Sequence, residues 1–255
     1  MSLAQSILGN VSFVLVCLAV TAAFIAVAVL FERAARRKNG GRERILSTRK
    51  VVVIGVFSAV SAILFCLDFP VFFAPAFYKM DFSELPALIA AFAYGPVAGL
   101  LIELVKILVK LCIKGTSTAF VGELANFVIG ASFILPASVL YQFKKTRRMA
   151  VWSCVAGTAV ITVVGAVFNA VYLLPAFAAL YGMPMEAIIG MGSKINSGIT
   201  DVTTFVILAV APLNLLKGGL DSLITVLIYK KLSPVMKAQS ALPQAAGDPH
   251  SSSAE

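Results

Sequence analysis

Val11-Ser-Phe-Val-Leu-Val-Cys-Leu-Ala-Val-Thr-Ala-Ala-Phe-Ile-Ala-Val-Ala-Val-Leu-Phe31 carries no charge, and Glu32–Lys50 directly after it holds eight Lys/Arg and two Glu. As a helix this run covers a hydrocarbon core of about 30 Å. A basic flank of that density stays in the cytoplasm. The segment lacks the basic start of a signal peptide. It therefore reads as a retained transmembrane anchor, residues 1–31, with its N-terminus outside. Residues 32–50 read as a basic cytoplasmic linker, with a turn at Asn39-Gly-Gly41.

The composition of the whole chain agrees. It is 60% hydrophobic and 13% charged, against about 45–50% apolar and about 25% charged in soluble domains. A soluble enzyme is excluded on that ground. The net charge of +9 would suggest nucleic acid in a soluble protein, but here the charges cluster beside apolar runs, so no nucleic-acid partner is expected. Cys17, Cys66, Cys112 and Cys154 sit in apolar runs without metal-site spacing and read as small apolar fillers. The one histidine, His250, lies in a polar tail, 238–255, expected to be disordered. Histidine-based catalysis has no support, and no metal is expected.

Six hydrophobic segments follow the linker: 51–67, 85–94, 96–113, 119–141, 149–174 and roughly 211–229. The second is short, as a segment starting in a loop or packed against protein would be. Basic clusters recur at Lys144, Lys145, Arg147, Arg148 and at Lys230, Lys231, Lys237. With the linker they hold fifteen of the twenty-one Lys/Arg, including every arginine. Placing all three clusters in the cytoplasm requires an even number of spans between each pair; four and then two satisfy it. The outer side receives loops 68–84 and 114–118 and the long stretch 175–210. That stretch is too apolar for a free loop, and short surface helices broken before Pro212 are expected there.

Charged and amide side chains within spans are costly and mark functional sites. Glu103, Lys106 and Lys110 share one helical face, the spacing of an internal ion pair. Glu123 and Asn126 share a face one turn below the outer surface. Asn169 and Tyr172 lie near the outer end of the fifth core span. Asn214 and Lys217 open the sixth, with Asp221 spaced for an i, i+4 pair with Lys217. The topology gathers Glu123, Asn126, Asn169, Tyr172, Asn214 and Lys217 in the outer half, beside an aromatic loop that includes Phe72, Phe73, Ala74 and Phe77. Amides supply donors and acceptors and rings supply stacking surface, which suits a flat polar heterocycle. Interhelical hydrogen bonding is the other reading of each asparagine alone. On the first core span Gly55, Ser58, Ala59 and Ala62 form small-residue pairs that allow close helix docking.

The chain contains no G-x-x-x-x-G-K-[ST], HExxH or GxSxG motif and no internal repeat, so it does not itself hydrolyse ATP by a P-loop and lacks two common hydrolytic motifs. An intramembrane enzyme using Glu123 or Asp221 as base would lack a nucleophile motif.

Five motifs carry a family resemblance: Leu67-Asp-Phe-Pro70 with Lys79-Met-Asp-Phe-Ser-Glu-Leu-Pro86, Tyr94-Gly-Pro-Val-Ala-Gly99, Gly122-Glu-Leu-Ala-Asn-Phe127, Asn169-Ala-Val-Tyr-Leu-Leu-Pro175 and Ala211-Pro-Leu-Asn-Leu-Leu-Lys-Gly218. In this order they resemble the riboflavin-specific S components of energy-coupling factor (ECF) transporters, over about residues 50–232. The resemblance implies an all-α integral membrane protein: a six-transmembrane-helix S-component core, residues 51–237, to which this chain adds one N-terminal transmembrane helix. It implies riboflavin bound from outside as the transported ligand, with no cofactor. It implies a transmembrane coupling protein and two cytoplasmic ATPase subunits as partners in the cell membrane. Asn169, Asn214 and Lys217 match the family's flavin-contacting positions, Phe69–Tyr78 its lid, and Gly55 and Ala59 its docking face. An S component for thiamine, biotin or a folate shares this architecture, and a stand-alone flavin carrier would share the pocket.

Overall fold

A computed structural model describes residues 11–38, 45–116 and 118–241. Within these, the chain forms α1 (Val11–Lys38), α2 (Thr48–Cys66), a hairpin of β1 (Phe69–Pro70) and β2 (Lys79–Met80), α3 (Glu84–Tyr94), α4 (Pro96–Lys114), α5 (Val121–Phe143), α6 (Arg147–Phe168), α7 (Leu174–Tyr181), α8 (Met185–Ser193), α9 (Val202–Phe205) and α10 (Ala211–Ala241). Five helical stretches are long and apolar enough to cross a membrane. The chain is an all-α multi-pass membrane protein. The expected tail lies, from residue 242 on, outside the described residues, as do linker residues 39–44.

Local chemistry sets the helix ends. Ser47 caps α2 by accepting the Lys50 N–H, and Thr146 caps α6 by accepting that of Met149. Only Gly95 separates α3 from α4, at φ 108°, with Pro96 opening the next helix. The exposed carbonyls ending α3 find partners: Gln142 Nε2 donates to Ala91 and Phe92, and Lys50 Nζ to Tyr94. At 11 residues, α3 is about 16 Å long, too short to face lipid across a bilayer. It is enclosed instead, with Ala87, Leu88, Ala90 and Ala91 fully buried. Phe92 stacks on Tyr141 at 4.5 Å, and Phe133, Ile134 and Ile161 complete this core. Lipid is as apolar as these side chains, so close packing rather than apolar burial holds the helices together. Gly157 shows the fit: a Cβ there would lie 2.9 Å from the Ala137 side chain.

Two expectations about residues 175–210 are corrected. The fifth core span does not stop at Leu174 but continues through a wide π-helical turn, Asn169–Leu173, into α7. The last span does not break before Pro212. It starts at α9, fixed by reciprocal hydrogen bonds between Asp201 and Thr204, and runs through a second π turn, Val206–Val210, into α10. Each π turn stands immediately before a helix carrying a proline near its start, Pro175 or Pro212. The missing proline N–H breaks the i→i−4 ladder, and the wider turn absorbs the mismatch without ending the helix. Only α8 is a separate short helix, packing with Ala74, Tyr78 and Phe205 over the hairpin.

Candidate ligand-binding site

A cavity of about 350 Å³ opens at the hairpin end of the bundle, within the range of small-molecule sites. Three asparagines line it: Asn126 from α5, Asn169 from the first π turn and Asn214 from α10. Each donates one amide N–H to the carbonyl four residues earlier: Asn126 to Gly122 at 2.8 Å, Asn169 to Gly165 at 2.7 Å and Asn214 to Val210 at 3.1 Å. These bonds fix the amide planes. They leave the second N–H of each amide, and the carbonyl oxygens of Asn126 and Asn214, for a ligand. The Asn169 oxygen accepts from the Tyr78 hydroxyl at 2.6 Å.

The aromatic wall comes from Phe77 and Tyr78 on the hairpin and Phe177 and Tyr181 on α7. Phe77 meets Tyr78 at 4.8 Å and Phe177 at 6.1 Å. β1 and β2 pair antiparallel, Phe69 with Met80 and Pro70 with Lys79, and so hold the loop over the cavity.

Beneath lies a chain of buried charges. Lys217 Nζ meets Asp81 Oδ2 at 3.1 Å and Glu84 Oε2 at 2.7 Å. Lys106 Nζ meets Glu84 Oε1 at 3.1 Å, Glu103 Oε2 at 2.7 Å and the Ser83 hydroxyl at 2.7 Å. Glu84 therefore joins the two lysines, and with two acids on Lys217 one of its three donors remains for a ligand. Burial alone would raise the Asp81 carboxyl. The ammonium groups of Lys217 and Lys106, with the Ser83 hydroxyl and amide, outweigh it and hold the group below the usual carboxylate range. At the opposite wall Glu123 Oε2 accepts from the hydroxyls of Thr116 and Thr118, each at 3.1 Å.

Of the residues singled out from sequence, Asn169, Asn214, Lys217, Glu123, Asn126 and Phe77 line this cavity. Four do not. Tyr172 points away, stacked on Phe13 and tilted against Phe168. Phe72 is 92% exposed, while Phe73 and Ala74 pack into the cluster under the hairpin. On α2, Gly55 and Ala59 are exposed, whereas Ser58 and Ala62 are buried inside the bundle and offer a partner no surface. Lys217 does not pair with Asp221; neither carboxylate oxygen of Asp221 has a hydrogen-bond partner among the described residues. Glu103 and Lys106 do pair, but Lys110 lies over the Phe65 ring at 3.8 Å and faces the cavity. Tyr78, from the expected lid, and Lys110, expected in an ion pair, also line the cavity, and Asp81, Glu84, Phe177 and Tyr181 join the site unforeseen. Among the described residues no cluster of metal-ligating side chains occurs.

The profile of the family "ECF transporter, substrate-specific component" matches residues 49–229. The chain is 32% identical to the riboflavin transporter FmnP of Bacillus subtilis strain 168, covering 76% of this chain and 97% of that protein. It is 32% identical to the riboflavin transporter RibU of Staphylococcus aureus strain TCH60, covering 78% of this chain and 98% of that one. A solved structure titled "Structure and mechanism of the S component of a bacterial ECF transporter" superposes with a TM-score of 0.58 at 32% identity, covering 74% of this chain and 98% of that one. With five bundle-forming motifs in order and a cavity at one end, this chain belongs to the substrate-specific components of ECF transporters.

Proposed function

We propose that this chain captures riboflavin in the hairpin-end cavity and delivers it inward as the specificity subunit of an ATP-driven ECF transporter. The observation that carries the reading is the convergence of three fixed asparagine amides and Lys217 beneath four aromatic rings. A flat ring system with polar edges uses both: rings take its faces, amides and the ammonium read its edge atoms. The identity to two riboflavin transporters supports this choice of vitamin.

The positive-inside rule supports an outward hairpin end with Lys144–Arg148 inside, and the same rule supports an outward N-terminus for α1. The ligand undergoes no chemistry. Asn126, Asn169 and Asn214 orient it, Lys217 donates one hydrogen bond, and the hairpin excludes water. ATP hydrolysis belongs to two cytoplasmic partner subunits, coupled through a membrane protein that meets the exposed Gly55 and Ala59 face of α2. Reorientation of the loaded subunit then presents the cavity to the cytoplasm.

The test is optical. Protein purified in detergent from riboflavin-fed cells should carry a near-stoichiometric flavin absorbance band. A colourless protein that also fails to quench added riboflavin would remove riboflavin from the account and leave the family assignment intact.

A further inference from the structure

The family match begins at residue 49, so α1 lies wholly outside it, yet α1 is fixed to the bundle at three levels. At its basic end Glu32 is only 3% exposed. Its Oε2 accepts the Val97 N–H at 3.1 Å, one of the donors left unpaired at the start of α4. Its Oε1 lies 3.5 Å from Lys50 Nζ and pairs with Arg36. The seat exists because residue 95 is glycine, since a Cβ there would lie 2.6 Å from Oε2. In the middle, Ala28 is fully buried, and Phe24 meets Phe127 edge-on at 5.9 Å. Phe127 follows Asn126 directly in α5. At the far end Phe13 lies parallel to Tyr172 at 6.4 Å, inside the π turn that starts at Asn169.

We infer that α1 is a brace of the binding pocket and not a separable membrane tether. Phe24 and Phe13 press on the two segments that present Asn126 and Asn169, and Glu32 sets the height and rotation of the helix against α4. Glu32, Phe24 and Phe13 are positioning residues: they act through the amides they support and touch no ligand. The functional readout rests on the riboflavin reading above.

The test uses the full chain in detergent and follows riboflavin association and dissociation by flavin fluorescence. Phe24→Ala and Glu32→Ala should each speed dissociation about fivefold, the scale of one well-packed aromatic contact, with association unchanged. Glu32→Gln, which keeps an acceptor for the Val97 N–H, should recover most of the loss. Leu18→Ala, on the lipid-facing side at 59% exposure, should change nothing. A helix serving only as an anchor would alter yield or melting temperature but not this rate. Wild-type dissociation in both Phe24→Ala and Glu32→Ala, with normal binding by the parent, overturns the brace and spares the riboflavin reading. Should the parent itself fail to bind riboflavin, that reading falls, and a Phe24→Cys/Phe127→Cys pair judges the brace. Bridging of the two by a short bis-maleimide, which spans the gap left by two facing rings, supports it, and failure to crosslink overturns it.

Discussion

Lys217 and Asp81 lie 136 residues apart in sequence and meet at 3.1 Å beneath the cavity. The contact ties the hairpin segment to the last span. Because Glu84 takes the same ammonium and also Lys106, the pocket floor is a continuous ion-pair chain from α10 through α3 to α4. Its members are buried, three carboxylates against two ammonium groups, so losing either lysine leaves buried carboxylates without compensation.

Lys217→Met should therefore do two separable things. It should weaken riboflavin binding more than tenfold, about 1.4 kcal/mol. It should also destabilise the fold by about 3–5 kcal/mol, the cost of stranding buried carboxylates. Adding Asp81→Asn should restore part of the stability and none of the affinity. Thermal unfolding in detergent with flavin titration on the same samples checks both; equal stability in single and double variants would argue against the pair.

Asn214 makes a different case. Its one side-chain hydrogen bond among the described residues is to the carbonyl a turn earlier, so Asn214→Ala should leave the melting temperature nearly unchanged while weakening riboflavin more than tenfold, about 1.4 kcal/mol. An equal fall in stability and affinity would assign the amide to helix packing.

The hairpin offers an internal contrast. Tyr78→Phe removes the hydroxyl that fixes Asn169 and should cost about 0.5–1.5 kcal/mol of binding. Phe72→Ala, at a side chain almost fully exposed, should cost nothing. Affinities measured side by side decide whether the lid acts through Tyr78.

The Asp81 carboxyl lies below its ordinary value in the folded chain. A lowered folded value contributes stability above the unfolded value, about 3.9, and loses it as pH falls through the folded value. This pair should leave melting temperature flat from about pH 8 to 5 and contribute to a fall only below about pH 4. Asp81→Asn should lower the plateau and shrink that acid limb. An unchanged acid limb in Asp81→Asn would place the acid sensitivity elsewhere.

What was legible in the sequence was what local pattern encodes. Apolar runs and arginine clusters gave the spans, and costly amides within them pointed to Asn126, Asn169 and Asn214. Partners distant in the chain leave no such trace. Asp81 and Glu84 read only as acids of the outer loop 68–84, and spacing offered Lys217 the wrong partner in Asp221. Pro212 read as a break because a proline normally ends a helix; only the backbone shows the π turn that accommodates it. Glu32 read as one more linker charge, although it is buried against Val97.

The most direct test of the account is riboflavin fluorescence titrated with purified wild-type protein and Asn214→Ala in parallel. Trp152 is exposed and does not line the cavity, so the flavin is the proper reporter. Wild type should quench stoichiometrically, and the curve of the variant should shift more than tenfold, about 1.4 kcal/mol. Absence of quenching by wild type, or superimposable curves, would contradict it.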